Sequence, residues 1–155
     1  MKRFTSKLDR ILRVRAQQEQ LARTEAARAN SLHSAAEEAL QAVRTEHEEL
    51  MTESTAQMSG ETDGATLQTL TTAGRLAEAT IERGVLHVNH FQQLMQQALD
   101  AYAHARAEQK IVDELIHRER LVHRRTQHLI EESQLQEQTA QAFHRRQQEN
   151  EGKQS

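Results

Sequence analysis

The chain has 155 residues, enough for one domain, and no cysteine, which excludes disulfide bonds and zinc–thiolate sites. Its formal net charge of −3 is not that of a nucleic-acid-binding protein. It also lacks proline, and Ala, Glu, Lys, Leu and Arg supply 76 of its residues, a composition typical of long helices and coiled coils. No apolar run approaches the ~20 residues of a membrane span, and the N-terminus does not resemble a secretory signal, so we expect a cytoplasmic protein.

The first predicted helix covers residues 3–55, and its apolar pattern is the weaker of the two. Its seam contains several alanines, which would let a second helix approach closely and pack large side chains against small ones. The predicted seam positions are Phe4, Leu8, Ile11, Arg15, Gln18, Ala22, Glu25, Ala29, Leu32, Ala36, Ala39, Val43, Glu46 and Leu50.

A turn is predicted at residues 56–64, where Gly60 and Gly64 stand among Ser, Thr and Asp. Folding the chain about Gly60 pairs residues whose numbers add up to about 120, as in an αα-hairpin. This pairing places Phe4 near Ile116.

The second predicted helix covers residues 65–148 and is followed by a disordered tail, residues 149–155. It carries a seven-residue repeat sustained over about seven heptads, the signature of a coiled-coil seam. The seam positions are Leu67, Leu70, Gly74, Ala77, Ile81, Gly84, Val88, Phe91, Met95, Ala98, Tyr102, Ala105, Gln109, Val112 and Ile116. The predicted fold is therefore all-α, a single domain over residues 1–155. Its two long helices form an antiparallel coiled-coil hairpin in which the second helix is longer and overhangs the first.

The overhang is the best candidate for a partner-binding surface. About 30 residues of the second helix, ~45 Å, extend beyond the predicted start of the first helix. A shifted apolar stripe at Leu115, Val122, Leu129 and Phe143 begins there, beside a basic cluster of Arg118, Arg120, Arg124 and Arg125. Part of this stripe has no partner within the chain, so we expect another protein to cover it.

No pattern of catalytic residues is found, so we predict that the protein is not an enzyme and has no catalytic residue, cofactor or metal site. The segment GETDG lacks the lysine of a phosphate-binding loop, and no HExxH is present. Nine histidines invite a metal hypothesis, but a single Glu114-x-x-His117 match is expected by chance. Two other classes stay open: a generic coiled-coil scaffold, and a four-helix bundle formed by two hairpins. The Gln-, Glu- and Arg-rich outer faces disfavour the bundle.

The chain resembles the flagellar export protein FliJ family at both ends. The N-terminal resemblance lies in Phe4, Leu8, Ile11, Leu12 and Arg15 within KRFTSKLDRILRVRAQQEQLAR. The C-terminal resemblance lies in the order of an acid-Leu pair, a basic cluster and a Glu/Gln-rich tail in DELIHRERLVHRRTQHLIEESQLQEQTAQAFHRR. The chain also resembles the related stalk proteins of virulence type III secretion, which are the alternative within the same class.

The resemblance implies a non-enzymatic stalk and adaptor of the bacterial flagellar type III export apparatus, which is linked to motility and chemotaxis. It implies three partners: the hexameric flagellar export ATPase, the export gate membrane protein and export chaperones. The protein would be cytoplasmic and peripherally associated with the inner membrane, without nucleic acid. We expect partner contacts at Phe4, Leu8, Arg118, Leu121, Val122, Arg124, Arg125, Leu129 and Ile130.

Overall fold

The computed structural model describes residues 4–61 and 63–153. Within these ranges it contains two α-helices, α1 (Asp9–Met58) and α2 (Gly64–Lys153), and no strand. The helices pair antiparallel, and α2 has 90 residues against 50 in α1. The predicted all-α hairpin with a longer second helix is confirmed.

The helix ends differ from the predicted ones. The helix α1 begins at Asp9 rather than residue 3 and ends at Met58 rather than residue 55. The helix α2 continues to Lys153, five residues beyond its predicted end at residue 148. The last two residues of the predicted tail lie outside the described ranges. Neither Gly60 nor Gly64 has a positive φ, so the turn does not depend on a left-handed glycine.

The predicted seam of α2 is confirmed by burial. Fourteen of its fifteen positions, from Leu70 to Ile116, are half-buried or buried, and Leu67 is exposed. Only Val85 and Glu108 are half-buried between Leu70 and Ile116 without belonging to the predicted set. The seven-residue repeat therefore identified the face of α2 that packs against α1.

Only half of the predicted seam of α1 is correct. The positions spaced by seven from Leu8 to Val43 are half-buried, as predicted. Of the interleaved positions, Phe4 is half-buried as predicted. Those from Ile11 to Glu46 are exposed, and in each case the next residue along the helix is buried or half-buried instead. The interleaved positions that the structure buries or half-buries are Leu12, Glu19, Ala26, His33, Leu40, His47 and Ser54.

The pairing of the helices is displaced by about one helical turn from the predicted one. Arg15 contacts Glu108 and Leu40 contacts Gly84, pairs whose numbers add up to 123 and 124 rather than about 120. The displacement follows from the position of the turn. Because α1 continues to Met58 and α2 begins at Gly64, the chain reverses near residue 61, not at Gly60.

The chain divides into two compact units, each built from parts of both helices. One unit comprises residues 1–15 and 108–155, and the other comprises residues 16–107. In the second unit, Ala26 and Leu40 are buried, and Leu40 Cδ1 lies 2.9 Å from the position that a β-carbon on Gly84 would occupy. In the first unit, Ile116 is buried. We refer to the first unit as the terminal unit, and it holds every predicted partner-contact residue.

Candidate partner-binding surface

The start of α1 is fixed by a capping box. The backbone N–H of Leu8 donates to Ser6 Oγ at 3.1 Å, and the backbone N–H of Ser6 donates to Asp9 Oδ2 at 3.2 Å. These reciprocal bonds satisfy amide groups that have no partner within the helix. The hydroxyl of Ser6 also donates to Glu119 Oε2 of α2 at 2.5 Å, which ties the cap to the second helix.

The ring of Phe4 packs against α2 ahead of this cap. Its centroid lies 5.4 Å from that of the His123 ring and 5.7 Å from Arg120 Cζ, a cation–π distance. Phe4 therefore lies one to two turns of α2 beyond the predicted position beside Ile116, because Arg120 and His123 are four and seven residues further along the helix. Phe4 is half-buried, so residues of the same chain already cover much of its surface.

The paired part of the terminal unit contains a buried isoleucine, Ile116, and an ion pair between Arg15 and Glu108. Arg15 Nη1 lies 2.5 Å from Glu108 Oε2, with about a third of each side chain exposed. Because water screens a pair this exposed, we expect it to contribute less than about 1 kcal/mol to stability. Ile116 is 4% exposed, and burying such a side chain contributes about 1.5–3 kcal/mol. Burial of Ile116 therefore stabilises this part of the chain more than the ion pair does.

Beyond the paired part, α2 continues as an exposed helix. Every residue from His128 to Lys153 is exposed, a stretch of 26 residues or about 39 Å of helix. We call residues 128–153 the C-terminal extension. Its length is close to the predicted overhang of about 30 residues.

The predicted apolar contact residues do not lie on one face. Successive residues of an α-helix are about 100° apart, so Val122 and Leu129 share a face. Leu115 lies on the same face, and these three side chains are 43–66% exposed. By the same geometry, Leu121 and Ile130 lie on opposite sides of α2, about 180° apart. The continuous apolar feature is therefore the stripe of Leu115, Val122 and Leu129, which we call the apolar stripe.

The predicted contact arginines also lie on different sides of α2. Arg118 and Arg125 lie about 40–60° from Val122, along one edge of the apolar stripe. Arg124 lies about 160° from Val122, on the other side of the helix. All three are exposed, and none forms an ion pair within residues 4–61 and 63–153. The apolar stripe and its two flanking arginines form an uncovered amphipathic surface.

The structure thus separates the predicted contact residues into three groups. Phe4 and Leu8 are half-buried, and Phe4 packs against α2. Arg118, Val122, Arg125 and Leu129 share the uncovered surface, whereas Leu121, Arg124 and Ile130 are exposed on other faces. Sequence reasoning missed the role of Ser6, although Ser-x-x-Asp before an apolar run is a known start signal for a helix.

The chemistry of this surface is that of binding. Among the described residues, no group of three His, Asp or Glu side chains lies close enough to hold a metal ion. A shallow groove beside Ile116 is lined by acids and bases of α2, including Asp113, Glu114 and Arg118. Exposed apolar groups flanked by guanidinium groups suit a protein surface with both apolar and acidic character.

The family comparison decides the identity. A model of the flagellar FliJ protein family matches residues 4–148, nearly the whole chain. The chain belongs to the flagellar FliJ family. Membership makes it a component of the flagellar type III protein export apparatus. No curated protein and no solved structure matches the chain.

The match to the FliJ family includes the capping box, the apolar stripe and most of the C-terminal extension. The family resemblance read from the sequence is therefore confirmed. In the part of the chain that the structure describes, neither helix has a stretch apolar enough to cross a membrane.

Proposed function

We propose that the chain is a non-enzymatic stalk of the flagellar export apparatus, which promotes the assembly and activity of the hexameric export ATPase. The observation that carries this proposal is the uncovered apolar stripe, flanked by Arg118 and Arg125, in a member of the FliJ family. A docking surface of this kind serves a protein partner rather than a small molecule. The proposal extends to contacts with the export gate membrane protein and with export chaperones, for which family membership is the support.

The terminal unit has dimensions suited to this role. Where α1 and α2 are paired, two helices side by side are about 20 Å across, and the C-terminal extension is a single helix about 10 Å across. A narrow element of this kind can enter the central opening of a ring of subunits.

An asymmetric ligand also provides a mechanism for activation. The apolar stripe lies on one side of α2, so it would contact six equivalent subunits unequally. A ligand shifts a conformational equilibrium only by its differential affinity for the states. Binding one subunit conformation more tightly would favour one nucleotide state at a time and so stimulate hydrolysis in the partner.

The flanking arginines provide the sharpest test. We expect the double variant Arg118→Glu/Arg125→Glu to raise the protein concentration needed for half-maximal stimulation of the ATPase by about tenfold or more. The reason is that two attractions to acidic groups of the partner become repulsions. Arg124→Glu is the control, since Arg124 lies on the other side of the helix. Unchanged helicity by circular dichroism would show that the fold is intact. Equal effects of both variants would contradict docking through this face.

The apolar part of the surface is tested separately. Leu129 is 66% exposed in the free chain, and burying such a side chain in an interface contributes about 1.5–3 kcal/mol. We expect Leu129→Ser to weaken binding to the ATPase by at least about tenfold. Leu135 is 64% exposed and lies about 120° from Leu129, so Leu135→Ser is the matched control. A generic scaffold that binds no ATPase would show no stimulation with any variant, including the wild type.

A further inference from the structure

The first residues of the chain are strongly basic, although the protein as a whole is acidic. Residues 1–15, which we call the basic segment, contain six Lys or Arg and one acid, a net charge of +5, whereas the complete chain has a net charge of −3. The remaining residues therefore carry a net charge of −8. An anionic surface would repel most of the chain, so any attraction to one has to come from the basic segment.

Exposed basic side chains at the start of α1 stand beside two exposed apolar side chains. Lys7 lies in the turn just ahead of α1 and Arg10 lies in its first turn, and both are exposed. Neither forms an ion pair within residues 4–61 and 63–153. Ile11 is 45% exposed and Val14 is 47% exposed. We call these four residues the basic patch.

Helical geometry places Val14 at the centre of the basic patch. Arg10 lies about 40° to one side of Val14, and Ile11 lies about 60° to the other side. The exposed Arg13 lies a further 60° beyond Arg10, on the flank of the hairpin that carries Asp113, which partly offsets its charge. Lys and Arg can lay their aliphatic stems along an apolar surface while their charges stay in water. Apolar groups bordered by such side chains are typical of helices that lie on a bilayer surface.

The acids closest to the basic patch along the chain and across it are both held by the helix cap. Asp9, the one acid of the basic segment, lies about 140° from the centre of the patch, and its Oδ2 accepts a hydrogen bond from the Ser6 backbone N–H. Glu119 of α2 accepts the hydrogen bond of the Ser6 hydroxyl. The exposed Arg118 and Arg120 stand on either side of Glu119 in the sequence, so this part of α2 is also basic.

The other acids of the paired part of α2 do not face the centre of the basic patch. Glu108 is paired with Arg15, so its charge is already balanced. Relative to the buried Ile116, Asp113 lies about 60° round α2, on the side opposite Glu108. Glu114 lies about 160° from Ile116 and so points away from α1. Among the described residues, the charge of the basic patch is therefore not cancelled by a facing acid.

The size of the basic patch favours an anionic bilayer over an acidic protein as its partner. A stable protein interface buries about 800 Å² on each partner around an apolar core, and two half-exposed aliphatic side chains do not supply such a core. A bilayer surface needs no matching shape. Each basic side chain close to an anionic bilayer strengthens binding by about fivefold, so a few of them are enough for a weak contact.

We propose that the basic patch binds directly to the surface of an anionic bilayer, with Ile11 and Val14 entering the headgroup region and Lys7 and Arg10 beside the lipid phosphates. Lys2 and Arg3, which precede the described residues, add two positive charges to the same segment. The inference is independent of the proposed function, because it uses α1 rather than the apolar stripe and requires no ATPase. The contact is sensitive to salt, because exposed charges are screened.

Co-sedimentation of the full chain with lipid vesicles tests the proposal. At about 50 mM salt, the chain should bind phosphatidylcholine vesicles that contain about 30% phosphatidylglycerol and should not bind pure phosphatidylcholine vesicles. Raising the salt to about 500 mM should release it. No binding to the anionic vesicles, or equal binding to both kinds, would overturn the proposal. Equally tight binding to a DNA duplex would show a site for any polyanion and would also overturn it.

Charge reversal locates the contact. Lys7→Glu/Arg10→Glu should weaken vesicle binding by at least about 25-fold, because two attractions of about fivefold each are lost. The helix dipole favours acids at the start of a helix, so α1 should still form, which circular dichroism measures. Arg75→Glu/Arg83→Glu makes the same charge change at exposed sites of α2 and should change binding little. Equal losses in the two variants would show that only net charge matters and would refute the basic patch.

A fluorescent reporter tests the entry of the apolar side chains into the bilayer. The chain lacks tryptophan, so Val14→Trp introduces a single indole at the centre of the basic patch. Its emission should shift to shorter wavelength with the anionic vesicles, because the indole enters the headgroup region. Leu76→Trp is the control, since Leu76 is 63% exposed and lies outside the terminal unit, and its emission should not shift. No shift at position 14, or equal shifts at both positions, would contradict insertion of this face.

Discussion

Replacing Gly84 with alanine tests the pairing of the two helices at its closest contact. Gly74 lies in the same helix and seam, with nothing within 4 Å of the position that a β-carbon would occupy. At Gly84, that position lies 2.9 Å from Cδ1 of the buried Leu40. The two glycines thus offer the same chemical change with and without an obstacle.

The two substitutions are expected to change the stability of the protein by different amounts. Alanine is favoured over glycine inside a helix by about 1 kcal/mol, so Gly74→Ala should stabilise the protein by about that amount. At Gly84, overpacking against Leu40 costs about 1–3 kcal/mol, which cancels or exceeds the same gain. We therefore expect Gly84→Ala to be neutral or to destabilise by up to about 2 kcal/mol.

Urea unfolding, monitored by circular dichroism, measures the change in the free energy of unfolding for Gly74→Ala and for Gly84→Ala. The double variant Leu40→Ala/Gly84→Ala provides the internal control, because a shortened side chain at position 40 removes the obstacle. Adding Gly84→Ala to Leu40→Ala should then stabilise by about 1 kcal/mol, as at Gly74. If Gly84→Ala in the wild-type background stabilises as much as Gly74→Ala, the contact between Leu40 and Gly84 is wrong, and with it the pairing of the helices.

Three further predictions concern the terminal unit. Ile116→Ala should destabilise the protein by about 2 kcal/mol or more, seen as a lower urea midpoint, because Ile116 is 4% exposed. Ser6→Ala should destabilise by about 1 kcal/mol in the same assay through loss of the cap, and Ser6→Thr, which keeps the hydroxyl, should restore most of it. Removing residues 128–153 should leave the urea midpoint nearly unchanged, because these residues are exposed; a large decrease would mean that the extension packs within the chain.

The second helix could be predicted closely because its seam is unambiguous. Large apolar residues such as Ile81, Val88 and Met95 recur at seven-residue spacing, and the neighbouring positions are mostly polar. Small residues at Gly74 and Gly84 did not disturb the repeat. Burial then follows the apolar pattern directly.

The first helix could not be predicted as well because two registers are similarly apolar. The predicted seam has ten apolar residues in fourteen positions, and nine of the sixteen buried or half-buried residues from Leu8 to Ser54 are apolar. The observed seam accepts Glu19, His33 and His47, which apolar periodicity alone would not select. The deciding feature is the fit between the two helices, above all Leu40 against Gly84, and periodicity within one helix contains no information about it.

The candidate surface was predicted in composition but not in arrangement. The sequence correctly indicated exposed apolar residues and arginines near residues 118–130. It treated Val122 and Ile130 as one surface, although helical geometry separates them by about 80°. The contact of Phe4 with Arg120 and His123 depends on the displaced pairing and so could not be anticipated.

Titrating the flagellar export ATPase from the same organism with this protein tests the central claim most directly. The stalk account predicts that ATP hydrolysis rises and saturates near one chain per six ATPase subunits, because one narrow element occupies one ring. The chain alone should hydrolyse no ATP. An ATPase rate that does not change, or that saturates at one chain per subunit, would contradict the account.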